Sequence, residues 1–119
     1  MDVFALVLCG AVALLHIYFL VLEMFLWDKP IGLKTFRLTP EKAQATKVLA
    51  ANQGLYNGFL AAGLLWGILL ADTGAHIRIF FLLCVVVAGV YGAATVGKKI
   101  LYIQAAPAAL ALLLTMLVV

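Results

Sequence analysis

The chain is poor in charge. Only 11% of its 119 residues are Asp, Glu, Lys or Arg, against 67% hydrophobic, and the mean hydropathy is +1.21. A soluble domain this small has a large surface for its volume and needs far more polar side chains to cover it. A soluble globular protein is therefore excluded, and lipid is the solvent for most of the surface. Cysteine is equally scarce. Cys9 and Cys84 stand alone inside apolar stretches, no spacing argues for a bridge between them, and they read as buried, inert thiols. Cys and His are never paired at ligand spacing, so no metal site is expected, and no residue pattern assigns a cofactor. With three prolines and no linker, low-complexity tract or internal repeat, the chain reads as a single domain, 1–119.

Long apolar runs fill the space that charge leaves. Four can be traced, at about 3–27, 45–70, 77–96 and 101–119. Each comes close to or exceeds the roughly 20 residues that cross a hydrocarbon core of about 30 Å. The fold class is therefore all-α, an integral membrane four-helix bundle. The first run is not read as a cleaved leader. Met1-Asp2 offers no basic n-region, the run is longer than an ordinary signal core, and no small-residue cleavage site follows before Trp27-Asp28-Lys29-Pro30.

The few charges report orientation. Lys29, Lys34, Arg37, Lys42 and Lys47 lie in or beside the first connection, Lys98 and Lys99 lie in the third, and only Arg78 is near the second. Basic connections stay in the cytoplasm, which predicts both termini and the Asp72-Thr73-Gly74-Ala75-His76 turn on the opposite side. The net charge of +3 then calls for no nucleic-acid partner. It reflects topology first and contact with membrane lipid headgroups second.

The first connection is the one sizeable polar segment, and Thr39-Pro40-Glu41-Lys42 within it has the form of a helix start: a threonine cap, proline at the first helical position and an acid in the first turn. The second helix can thus begin near Pro40, ahead of its apolar part. Small residues recur at intervals of four, with Ala50, Gly54, Gly58 and Ala62 on the second helix and Gly89, Ala93 and Gly97 on the third. Such faces let backbones approach where packing replaces the hydrophobic drive, or leave a groove for a ligand chain.

Placed in this orientation, the polar groups within the apolar runs collect in the cytoplasmic half. Glu23 lies near the end of the first helix, Asn52, Gln53, Tyr56 and Asn57 near the start of the second, Tyr91 and Thr95 near the end of the third, and Tyr102 and Gln104 near the start of the fourth. An acid inside a span must face the bundle or water. Partners for Glu23 are the amides of Asn52 or Asn57, or an ammonium from the third connection. It serves either to orient the first helix near the interface or as a site residue. His16 lies two turns before Glu23 on the same face, and reads first as an interhelical hydrogen-bonding residue. Trp27, Trp66 and Tyr102 read as interface anchors or packing aromatics.

The stretch Ala51-Asn52-Gln53-Gly54-Leu55-Tyr56-Asn57-Gly58-Phe59-Leu60, with Glu23 on a first helix ending at Trp27, resembles the bacterial and fungal membrane family catalogued as domain of unknown function 1304. The resemblance covers essentially the whole chain and implies four spans, in the inner membrane of a bacterium, with no established activity. Ala51-Asn52-Gln53 with Phe59-Leu60, and Tyr91 through Tyr102 to Pro107, are also similar to the MAPEG superfamily of eicosanoid and glutathione metabolism. That similarity implies a four-helix homotrimer with a site opening toward the cytoplasm. Catalytic members place an arginine, an asparagine and a glutamate on the second helix against glutathione; Ala50, Gly54 and Asn57 stand at those positions here. The resemblance therefore implies the scaffold and the trimer rather than stabilisation of a glutathione thiolate.

The expectation is a small membrane protein that binds an amphipathic or lipid-like molecule in the cytoplasmic half, through Glu23, Asn52, Gln53, Tyr56, Asn57, Tyr91 and Tyr102. One rival is a glutathione-like or lipid-modifying transferase with Glu23 as base and Tyr91 or Tyr102 as proton donor. Another is a small proton-coupled transporter using His16 and Glu23, although the outer halves of the helices offer almost no polar path.

Overall fold

The computed structural model describes residues 2–119, and among them the regular structure is all helical. The helices are α1 (Val3–Met24), α2 (Pro30–Phe36), α3 (Pro40–Leu69), α4 (Ala75–Thr95) and α5 (Lys98–Leu117), with a 3-10 turn over Ala71–Gly74 between α3 and α4. Three of them, α1, α4 with its leading 3-10 turn, and α5, are long and apolar enough to cross a membrane. α3 is longer, at 30 residues or about 45 Å, but Asn52, Gln53 and Asn57 dilute its apolar character.

Helix boundaries follow local chemistry. Asp2 caps α1, its Oδ1 accepting from the N–H groups of Phe4 and Ala5 at 3.0 and 3.3 Å. Thr39 caps α3 by accepting from the Lys42 N–H at 3.2 Å, ahead of Pro40, whose missing N–H costs nothing at that position. α3 consequently starts five residues before the apolar run at 45–70. α5 contains a π turn over Leu101–Ala105. Pro107 has no N–H to return to Ile103, and the backbone widens just before it.

The chain forms two compact units, one running up to Leu14 and resuming from Leu60 to the end, the other Leu15–Phe59. In the first, Cys9, Val12, Ala13, Leu64, Leu82, Val85, Ala108 and Ala111 make a continuous buried core. α4 and α5 approach closely at Gly89, where a Cβ would lie 2.6 Å from the Ala105 Cβ and 2.9 Å from its backbone nitrogen. Cys9 and Cys84 are both free thiols.

In the second unit the end of α1 runs antiparallel to the start of α3. A Cβ on Gly54 would lie 2.6 Å from the Met24 side chain and 3.2 Å from both the Glu23 Cβ and the Leu20 carbonyl oxygen. Ala50 and Gly54 are buried here as the small-residue spacing suggests, but Ala62 is exposed and Ala61 is buried in its place, in the first unit. A four-residue interval advances about 40° per step around a helix of 3.6 residues per turn, so the stripe drifts off the packed face.

Candidate functional site

The close pairing of α1 and α3 brings Glu23 to Asn57. The Asn57 Nδ2 donates to Glu23 Oε1 at 2.5 Å, and the two residues are 7% and 8% exposed. Gly54, one turn before Asn57, makes this possible by letting the α3 backbone come up against the Glu23 Cβ. No cation is paired with Glu23 among the described residues; the Lys47 ammonium of this unit pairs instead with Asp28. Among those residues Arg78 Nε is the buried side-chain nitrogen or oxygen without a partner. The pair is chemically an acceptor carboxyl held in place by an amide. His16 is also fully buried in this unit, its ring edge-on to Phe19 at a centroid distance of 5.6 Å.

The remaining sequence-derived site residues lie elsewhere. Asn52, Gln53 and Tyr56 are on the exposed side of α3. Asn52 precedes Asn57 by five residues, about 140° around the helix, which is why only the second of the two amides meets Glu23. Tyr91 and Tyr102 are exposed residues of the first unit, and the Tyr91 carbonyl accepts a hydrogen bond from the Thr95 hydroxyl at 2.8 Å.

Below Glu23 the chain folds into an ordered connection. The Trp27 indole N–H donates to Thr46 Oγ1 at 3.1 Å, and its ring lies 4.7 Å from that of Phe36 on α2. Asp28 Oδ2 accepts from Lys47 Nζ at 2.9 Å and from Gln44 Nε2 at 3.2 Å. The hydrogen bond from the Lys47 ammonium holds the Asp28 carboxyl below its usual range. Trp27 thus latches the first connection onto α3, a role that its position at the end of an apolar run does not reveal.

Arg78 is the buried charge that sequence reasoning assigned only to topology. It is 4% exposed and its Nη1 donates to the carbonyls of Gly67 and Ala71 at 2.7 and 2.6 Å. These carbonyls belong to the end of α3 and the turn after it, where the helix dipole and unpaired C=O groups favour a cation. The residue also lines a half-open cleft of about 440 Å³ with Asp2, Thr73, His76 and Thr115. A lone arginine at the start of a long apolar segment is the signal that could have marked it.

The chain matches the model of a family described as Protein of unknown function (DUF1304) over residues 10–116, a stretch that contains Glu23, Asn57 and Arg78. It is also 30% identical over 115 residues to the uncharacterized protein YpaA of Lactococcus lactis subsp. lactis, an alignment covering 95% of this chain and 97% of that protein. No solved structure matches it. With the family model covering nearly all of its length and a full-length relative alongside, the chain belongs to the DUF1304 family of small membrane proteins.

Proposed function

We propose that this protein binds an amphipathic, lipid-like molecule whose headgroup carries a hydroxyl or ammonium donor, received by the Glu23 carboxyl beside Asn57. The observation that carries the reading is a buried acid in a membrane helix whose partner is a neutral amide. Such a group costs at least about 2.5 kcal/mol in a span, and one donor amide offsets part of that. A ligand donor at the second oxygen completes the compensation.

α3 is the fourth span in this reading. Its length supports crossing, and its dilution by Asn52, Gln53 and Asn57 reflects polar work within the bundle. Asn52 and Gln53 are exposed on a single chain, a costly arrangement against lipid, and in the proposed MAPEG-like homotrimer a neighbouring copy covers them. Tyr56 is exposed as well and a neighbouring copy would cover it too, with both termini on the non-cytoplasmic face. The relative from a bacterium supports a bacterial inner membrane as the location.

The test is a titration of a fluorescent-tailed monoacylglycerol into wild type and Glu23→Gln, each in nanodiscs, with a melt of the unliganded proteins beside it. Weakened binding at an unchanged melting temperature is the expected result. Unchanged binding with a lowered melting temperature would make Glu23 a structural residue and refute the site. Mass measurement of the same particles reads the assembly, and monomers alone would refute the trimer.

A further inference from the structure

The connection Phe25–Lys47 carries more positive charge than its own structure consumes. Of its five cations, Lys47 is held by Asp28 at 2.9 Å, while Lys29, Lys34, Arg37 and Lys42 are exposed, with only Glu41 as a further acid in the segment. These cations sit on a structured scaffold. Trp27 packs at a tilt against Phe36 and donates a hydrogen bond to Thr46, and α2 closes with the Leu38 N–H donating to the Leu33 carbonyl at 2.9 Å.

Arg37 is the residue in the unusual place. It ends α2 in the left-handed region, at φ 54° and ψ 50°, where glycine or asparagine is favoured and a branched or long side chain is a departure. Keeping an arginine there puts a guanidinium, a planar fork suited to phosphate oxygens, beside Lys34 at the end of α2. Apolar side chains flank the same cations. Phe25, near the end of the first apolar run, is 64% exposed and Ile31, on α2, is 46% exposed. Exposed apolar groups next to exposed lysines and an arginine match the boundary between acyl chains and anionic headgroups. The segment follows directly from α1, which is long and apolar enough to span the membrane, so that boundary is where the segment emerges.

We infer that α2 and its flanks form an anionic-phospholipid site, with Phe25 and Ile31 in the acyl boundary and Arg37, Lys34, Lys29 and Lys42 on headgroup phosphates. The site is separate from Glu23 and does not rest on the proposed ligand. Its charge is selective for phosphatidylglycerol over zwitterionic phosphatidylcholine, and the selectivity weakens with salt as screening increases.

Trp27 provides the readout. In a Trp66→Phe background it is the remaining tryptophan, and its fluorescence is quenched by lipids brominated near the headgroup end of the acyl chain. Competition between brominated phosphatidylglycerol and unlabelled phosphatidylcholine in vesicles should show preference for the anionic lipid, and the reverse labelling should show the converse. Arg37→Gly, which suits the left-handed backbone, should keep or raise the melting temperature while lowering the preference about fivefold, the effect of one cation at an anionic surface. Lys34→Gln added to it should lower the preference by a similar factor. Arg37→Asn, which also tolerates this backbone, should behave like Arg37→Gly if removal of the charge is the cause. Equal quenching by the two lipids in wild type, or a full preference retained in Arg37→Gly and Arg37→Asn, would overturn the inference. Glu23→Gln should leave the preference unchanged.

Discussion

Removing the amide beside Glu23 tests the central geometry directly. Asn57 donates to a carboxyl that is 7% exposed, and a hydrogen bond to a charged group contributes about 1.5–3 kcal/mol. Asn57→Ala deletes that bond and the packing of a side chain that is itself buried, so a loss of about 2–4 kcal/mol is expected. Glu23→Gln keeps an acceptor oxygen for Asn57 and removes the buried charge. The weaker neutral bond and the relieved desolvation oppose each other, leaving a net change within about 1 kcal/mol of zero. Once the charge is gone, Asn57→Ala deletes only a neutral bond of about 1 kcal/mol together with the packing. The double variant should therefore be more stable than the sum of the single effects by about 1–2 kcal/mol. The four proteins can be compared by unfolding in mixed micelles with increasing denaturing detergent. Additivity to within about 0.5 kcal/mol would show that the two residues do not share an interaction, and the reasoning behind the site would fall with it.

Two further expectations concern other parts of the molecule. Gly89→Ala pushes a methyl against the Ala105 backbone and should destabilise by about 1–2 kcal/mol, an overpacking cost of about 1–3 reduced by the better helix propensity of alanine. A Cβ on Gly10 meets nothing within 4 Å, so Gly10→Ala should stabilise slightly in the same melts; equal effects at the two positions would contradict the close approach of α4 and α5. Asp28 has a lowered pKa in the folded protein because Lys47 donates to it, so its contribution is complete above the ordinary aspartate value and fades as pH falls through the folded one. The melting-temperature gap between wild type and Asp28→Asn should hold from about pH 7 to about pH 5 and shrink below about pH 4, and a gap that widens on acidification would reverse the assignment.

The pairing of Glu23 with an amide of α3 is legible in the sequence. Glu23 is conspicuous because an acid near the end of an apolar run has few acceptable surroundings, and Asn52 and Asn57 follow as the nearest amides on a neighbouring helix. Choosing between them was not possible from composition, since the helix register that carries Asn57 toward α1 and Asn52 to the exposed side depends on where the two axes cross. Gly54 fixes that crossing. The role of Arg78 was hidden for a related reason: its carbonyl partners, Gly67 and Ala71, come from the end of another helix and a turn, and a backbone acceptor leaves no mark in a sequence. Only depth along the helices links the tyrosines to Glu23 in the sequence, and depth carries no information about direction around a helix.

The sequence by itself determined that the chain is helical and belongs in a membrane, because long apolar runs leave the backbone no hydrogen-bond partner in lipid except within a helix. It also determined where α3 starts, since Thr39 and Pro40 act within a single turn. Tertiary structure decided the contacts made at a distance: Glu23 with Asn57, Trp27 with Thr46 and Phe36, and Arg78 with the end of α3. Each requires two segments at one separation and one rotation. Those quantities are set by the shape of the packed faces, where a glycine such as Gly54 or Gly89 admits a neighbouring backbone and a larger residue would hold it away.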